Sequence, residues 1–165
     1  MPLEPGRYVC VATPGFVGWL IRKVTRSAVN HAFAVTGPDE IVEARPEGTC
    51  KGTLSQYAGA YAVANTGEPV TQKQRDAVAA KALTLVGTPY NFPSILDIGL
   101  EDLGWHWRLL MRFARADREL ICSQMVAVAG AAAGLDWSCG KPSPDQVTPG
   151  DLARRPGVRQ VTISA

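Results

Sequence analysis

His31-Ala32-Phe33-Ala34-Val35-Thr36-Gly37-Pro38-Asp39-Glu40-Ile41-Val42-Glu43-Ala44-Arg45 reads as two β-strands joined by a turn. Gly37-Pro38-Asp39 is turn chemistry, and the runs on either side are short, apolar and partly β-branched. Side chains alternate between faces along a strand, so the loop length decides which residues meet. A three-residue loop pairs Thr36 with Glu40 and Val35 with Ile41. Phe33 then faces Glu43, and His31 lies diagonally beside Glu43 on the same face, within reach of a long side chain. A two-residue loop puts His31 and Glu43 on opposite faces.

Working outward, Arg7 to Ala12 reads as a strand that follows a Pro-Gly turn and is broken by Thr13-Pro14-Gly15. Phe16, Trp19, Leu20 and Val24 recur at helical spacing, with Arg22, Lys23 and Arg26 on the remaining surface. A further strand is expected over Ala60–Ala64. Thr71 to Val86 is the clearest helix: Thr71 and Gln74 form a capping box, Gly87 stops it and Pro89 prevents its continuation. Ala77, Val78, Leu85 and Val86 are candidates for its buried face. Ser94 to Leu103 reads as helical, and Trp105 to Glu119 mixes aromatics with arginines. A small-residue helix is expected over Ser123–Ala133, with Ala127, Val128 and Ala131 against the sheet. Ser138 to Gly150 reads as loop and Val158 to Ser164 as a last strand. Strands first, helices in the middle and a closing strand favour a single α+β domain over residues 1–165, built on a largely antiparallel sheet.

The 165 residues are 46% hydrophobic and 19% charged, which excludes a disordered tail and leaves enough apolar material for one core. A net charge of +2 does not argue for nucleic acid. No apolar run approaches the roughly 20 residues that span a bilayer, and Met1 to Arg7 lacks the charged and apolar regions of a secretory signal. The expected site of synthesis is the cytoplasm. Cys10, Cys50, Cys122 and Cys139 include no Cys-x-x-Cys pair, and the histidines are two, His31 and His106. No metal or cofactor is implied. Cys50 and Cys139 read as loop cysteines whose pairing the sequence leaves open, and Cys10 reads as core.

A cysteine hydrolase needs a thiolate, an imidazole to receive its proton and a group to orient that imidazole. A helix N-terminus lowers a thiol's pKa, and Cys122 follows the extended Leu120-Ile121 at the head of a helix. Cys122 is the candidate nucleophile, His31 the base and Glu43 the orienting carboxylate, with an oxygen expected near Nδ1. The plainer readings are a buried inert thiol, a strand-edge histidine and a solvated strand glutamate. His106, between Trp105 and Trp107, reads as structural.

These motifs, taken in order, carry a resemblance. Pro5 to Cys10, Leu20-Ile21-Arg22, Ser27 to Phe33 and Ile41 to Ala44 resemble the first half of the circularly permuted papain-like hydrolases of the NlpC-type superfamily, which include the YiiX-like amidases. Gln72 to Ala80, Gly87-Thr88-Pro89-Tyr90-Asn91, Cys122 to Val126 and Thr148 to Ala153 resemble the second half, and histidine before cysteine is the permuted order. The resemblance implies a papain-like antiparallel sheet or partial barrel packed against helices, and an amide or peptide substrate of the cell-wall type. It also implies substrate or oxyanion contacts from Tyr90 and from Ser123 at the start of the Cys122 helix, whose backbone N–H groups are donors.

Two other functions fit the same residues. One is a lipid-directed acyltransferase or lipase that uses Trp105 to Phe113 on a membrane surface; an ordinary core-covering helix is the preferred reading of that segment. The other is a virion or interaction module with an unused cysteine. Delivery in a phage particle would reconcile a wall-type substrate with the missing signal. Oligomeric state is left open.

Overall fold

The computed structural model describes residues 3–15, 18–19, 22–23, 26–45, 47–89 and 122–164. The expected roles of Tyr90, His106, the Ser94–Leu103 helix and the Trp105–Glu119 segment lie outside them.

Six antiparallel strands form one open sheet in the order β4-β3-β2-β1-β5-β6. They are β1 (Tyr8–Val11), β2 (His31–Val35), β3 (Glu40–Arg45), β4 (Gly48–Thr53), β5 (Ala62–Ala64) and β6 (Arg159–Val161). Of the two forms expected, antiparallel sheet or partial barrel, the open sheet is the one formed. Three helices described from end to end accompany it: α1 (Gln72–Thr84), α2 (Cys122–Ala132) and α3 (Pro149–Ala153). None of the described helices is long and apolar enough to cross a membrane.

The β2–β3 hairpin takes the register of the three-residue loop. Val35 pairs with Ile41, Ala34 with Val42 and Phe33 with Glu43, where the ladder ends. Thr36 and Gly37 both donate their N–H to the Glu40 carbonyl, which closes the turn.

Alternation along the strands divides the core into two layers. Tyr8, Cys10, Ala32, Ala34, Val42 and Ala44 face the helices. Val9, Val11, Phe33, Val35 and Ile41 face the other way, with Leu54 and Ile163 packed against them. The helix-facing layer is rich in alanine, and α2 meets it with Met125, Val126, Ala127, Ala129 and Gly130 buried. Small side chains on both surfaces let the helix backbone approach the sheet closely. Ala127 lies in this contact as expected, but Val128 is half-buried and Ala131 is exposed. The buried stripe runs through Met125, Val126, Ala129 and Gly130, at the spacing of one helix face.

Several expected elements change at their ends. Thr71 and Gln74 form the capping box on α1, whose buried residues are Val78, Ala79 and Ala82; Val86 lies beyond the helix and is exposed. Strand β4 was not expected at all. Gly48-Thr49-Cys50-Lys51-Gly52-Thr53 has two glycines and no apolar alternation, and it is extended because all six residues pair with β3. Cys50 is therefore a strand residue, not a loop residue. The expected loop to Gly150 instead gives way to α3 at Pro149, where Thr148 and Asp151 make a second capping box. The strands expected over Ala60–Ala64 and Val158–Ser164 shorten to β5 and β6. Around Trp19, the described Gly18, Trp19, Arg22 and Lys23 are helical, but Trp19 itself is exposed.

Trp137 closes the end of α2. Its ring is buried edge-on against Tyr8 at 4.8 Å, and its indole N–H donates to Glu68 at 3.1 Å. A methyl at Gly130 would fall 2.4 Å from that ring. Gly130→Ala is expected to cost about 1–3 kcal/mol of stability through overpacking, whereas Ala131→Leu, one position on and exposed, is expected to be near neutral. Paired denaturant titrations check both, and equal effects would contradict this packing.

Candidate active site

Glu43 is an unusual residue for the middle of a sheet. Its side chain is fully buried, 0% exposed. A carboxylate so placed must be paired and hydrogen-bonded, or it takes up a proton. Four donors meet it. His31 Nε2 lies 2.8 Å from Oε2, and the Tyr57 hydroxyl donates to the same oxygen at 2.5 Å. Gln56 Nε2 donates to Oε1 at 2.8 Å, and Arg45 Nη2 lies 2.7 Å from that oxygen.

Local structure explains how these groups converge. The hairpin register puts His31 and Glu43 on one face. Arg45 is two residues beyond Glu43 and shares that face. Gln56 and Tyr57 come from a 3-10 turn, Leu54–Tyr57, directly after β4. Asp39 in the hairpin turn holds this one: its carboxylate accepts from the Ser55 N–H at 2.7 Å and from the Ser55 hydroxyl at 3.0 Å. Tyr57 stacks on Phe33 with ring centres 4.9 Å apart and lies 6.0 Å from the His31 ring. Gly52 leaves the necessary space, since a Cβ there would sit 2.7 Å from both Glu43 Oε1 and Gln56 Nε2.

Cys122 begins α2 on the helix-facing side, whereas alternation sends His31 to the other side. They meet at the end of the β2–β3 ladder. Beyond the Phe33–Glu43 pair the backbone N–H of Ala32 turns to the Cys122 sulfur, and the Ser123 N–H reaches it as well. His31 hydrogen-bonds the same thiol. With Nε2 committed to Glu43, the nitrogen left for sulfur is Nδ1. The expected arrangement, a carboxylate at Nδ1, is reversed. A carboxylate only accepts, so Glu43 requires the proton on Nε2.

The electrostatics follow from these contacts. Burial works against a charged His31, but hydrogen bonds to Cys122 and Glu43, together with their charges, outweigh it and raise the ring to about 9. Burial likewise opposes the Cys122 thiolate; the hydrogen bond and charge of His31 and the two backbone N–H groups bring the thiol below its usual range. Burial would raise the Glu43 carboxyl, yet hydrogen bonds from His31 and Tyr57, the charge of His31 and the Arg45 contact hold it at about 2. Cys10, by contrast, is wholly buried on β1 and is pushed well up, chiefly by burial. All four cysteines are free thiols.

Ser123 has a different side-chain environment. It is buried, and its hydroxyl donates to the Val147 carbonyl at 2.5 Å, anchoring the first turn of α2 to the chain before α3. What it directs at the sulfur is its backbone N–H. Gly87 and Thr88 are joined to the edge of β4, with Thr49 N–H on the Thr88 carbonyl and Gly87 N–H on the Thr49 carbonyl, both at 2.8 Å. Sequence reasoning missed Arg45, Gln56 and Tyr57. The alternation that placed Glu43 also places Arg45, but no local pattern signals the 3-10 turn.

Glu43 should leave a mark on acid stability. A carboxyl held at about 2 in the folded chain, against an ordinary 4.5, stabilises the fold above the ordinary value and loses that contribution as pH falls toward 2. The stability gap between wild type and Glu43→Gln is therefore expected to be full at neutral pH and to shrink between about pH 4.5 and 2. Denaturant melts across that range check it; a gap independent of pH would contradict an ionised buried Glu43.

No family model matches the sequence, and no curated protein matches it. Among solved structures the chain is similar to the metalloprotein YiiX from Escherichia coli O157:H7, at 16% identity over 99% of each chain, with a TM-score of 0.68. Among the described residues no group of three or more His, Cys, Asp and Glu side chains is placed to hold a metal ion. Both oxygens of Glu43 are already taken by hydrogen-bond donors. In fold, the chain is similar to YiiX over its whole length: an open antiparallel sheet with helices packed on one face.

Proposed function

We propose that the chain is a cysteine hydrolase of amide or peptide bonds, with Cys122 as nucleophile, His31 as acid and base and Glu43 as the group that orients and charges the imidazole. The observation that carries this reading is the continuous relay from the Cys122 thiol through the two ring nitrogens of His31 to a buried carboxylate. A core cysteine with only a packing role has no use for a charged partner, and burial alone would leave its thiol protonated. The YiiX-like fold is compatible with this reading.

In the proposed reaction the Cys122 thiolate adds to the acyl carbon, and the carbonyl oxygen takes up the negative charge. The tetrahedral adduct collapses, the C–N bond breaks, and His31 gives its Nδ1 proton to the departing amine. A thioester on Cys122 remains. His31, now neutral, takes a proton from water as it attacks that thioester; the C–S bond breaks, releasing a free acid and restoring thiolate and imidazolium. Glu43 stays ionised throughout and stabilises the imidazolium. Substrates of the cell-wall peptide type are the proposed class, and Tyr90 is the proposed further substrate contact.

Cys122→Ser and His31→Ala are each expected to lower hydrolysis by about a thousandfold or more, and the double variant to be little worse than either, because the two groups act as a unit. Glu43→Gln is expected to lower turnover less, since an amide oxygen still accepts from Nε2. Turnover of a panel of wall-type peptides, with intact-mass detection of an acyl group on Cys122, checks all of these. Full activity in Cys122→Ser would contradict the assignment. The rate is also expected to fall as pH rises through about 9, where His31 loses the proton that the leaving amine needs. An alkaline limb near an ordinary histidine value would contradict the relay.

A further inference from the structure

The clamp around Glu43 contains more than orientation of an imidazole requires. His31, Tyr57 and Gln56 supply three hydrogen bonds, and a fourth contact comes from a guanidinium. We infer that Arg45 is a positioning residue for the nucleophile: its charge, 2.7 Å from Glu43 Oε1, keeps the buried carboxylate ionised in acid and so keeps His31 protonated opposite a Cys122 thiolate. This inference rests on the hydrolase reading and assigns that site its acid tolerance.

Two features of the site support it. Of the four groups that meet Glu43, Tyr57 and Gln56 are neutral, and His31 carries a charge only while it is protonated. Arg45 alone among these four is a cation at every accessible pH. If Glu43 took up a proton, His31 would lose its anionic partner and Cys122 would lose its cationic one, because each charge in the row supports the next. A permanent charge at the far end of the row prevents that collapse. Second, Arg45 is built into the site and not merely adjacent to it. Its Nη2 also donates to Gln56 Oε1 at 2.7 Å, and Gln56 Nε2 donates to Glu43, so Arg45, Gln56 and Glu43 form a closed ring of contacts. The bare Gly52 leaves room for that ring.

The other groups around Glu43 do not substitute for Arg45. From β2 comes His31, and from the 3-10 turn come Tyr57 and Gln56. From β4 the cross-strand partner is Cys50, whose thiol is raised by burial and then by the charge of Glu43, so it stays neutral. From α2 comes Cys122, acting through His31. Arg45 has a side chain 41% exposed, so replacing it leaves the core in place.

The test is the rate of Cys122 alkylation by iodoacetamide in the full chain, resolved from the other three cysteines by peptide mapping, between about pH 4 and 9. Arg45→Gln keeps a hydrogen-bond donor but removes the charge; Arg45→Lys keeps the charge. The wild-type rate is expected to fall off only below the ordinary thiol value of about 8.5, because the Cys122 thiol is lowered. Arg45→Gln is expected to show its fall-off about one pKa unit higher, which is about tenfold slower on the acid side of both midpoints, and to stay within about twofold of wild type at pH 8. Arg45→Lys is expected to restore the acid rate. An Arg45→Gln profile that superimposes on an acid-reactive wild type would overturn the role of Arg45 and leave the hydrolase reading standing. So would a slow Arg45→Gln that Lys does not rescue, or one whose circular dichroism shows that it has unfolded. A wild type that reacts only as an ordinary thiol, near pH 8.5, would overturn the hydrolase reading itself and the role of Arg45 with it.

Discussion

The hydrogen bond between His31 Nε2 and Glu43 Oε2 constrains the rest of the site. A carboxylate with no exposed surface is costly, and this one is tolerated because every lone-pair direction it offers is met by a donor. To meet it, the hairpin must hold one register, the chain after β4 must turn within four residues, and Gly52 must present no side chain. These are demands of a single buried charge on three separate elements. In return the charge holds the proton on His31 Nε2 and leaves the opposite ring nitrogen for sulfur.

The sheet is both a partition and a frame. Its helix-facing layer of small residues brings α2 close, and its other layer carries the imidazole and the carboxylate. Cys122 and His31 reach each other because the β2–β3 ladder stops at Phe33 and Glu43, one pair short of Ala32. That stop leaves an N–H for the sulfur, and at that edge the two sides of the sheet communicate. The His31 imidazole and the backbone N–H groups of Ala32 and Ser123 then act on one thiol, and together they outweigh the burial that would keep it protonated.

Parts of this arrangement are legible in the sequence for definite reasons. Gly37-Pro38-Asp39 and the alternation around it allow a register with Glu43 beside His31, and they leave only the loop length to be settled. Thr71 and Gln74 mark the start of α1, because a cap is a local interaction and local interactions are written locally. Cys122 at a helix head follows from the run of small residues after it. Other parts depend on contacts that no local pattern encodes. Strand β4 is extended because β3 pairs with it, not because Gly48 to Thr53 favour that conformation. Without β4 there is no reason to bring Gln56 and Tyr57 to Glu43. The choice of Nε2 over Nδ1 is a matter of how the His31 ring is rotated, which alternation does not specify. Ala131 looked equivalent to Ala127 on a wheel of small residues, and only the position of Trp137 shows which stripe is covered.

The central claim is that His31 is an imidazolium at neutral pH, held between a thiolate and a buried carboxylate. Nitrogen NMR of the chain labelled at its histidines measures this directly, with His31→Gln used to assign the signal. The account predicts that both His31 ring nitrogens carry protons at pH 7 and that the charge is lost only near pH 9. A neutral ring at pH 7 with an ordinary midpoint, about 6.5, would contradict it.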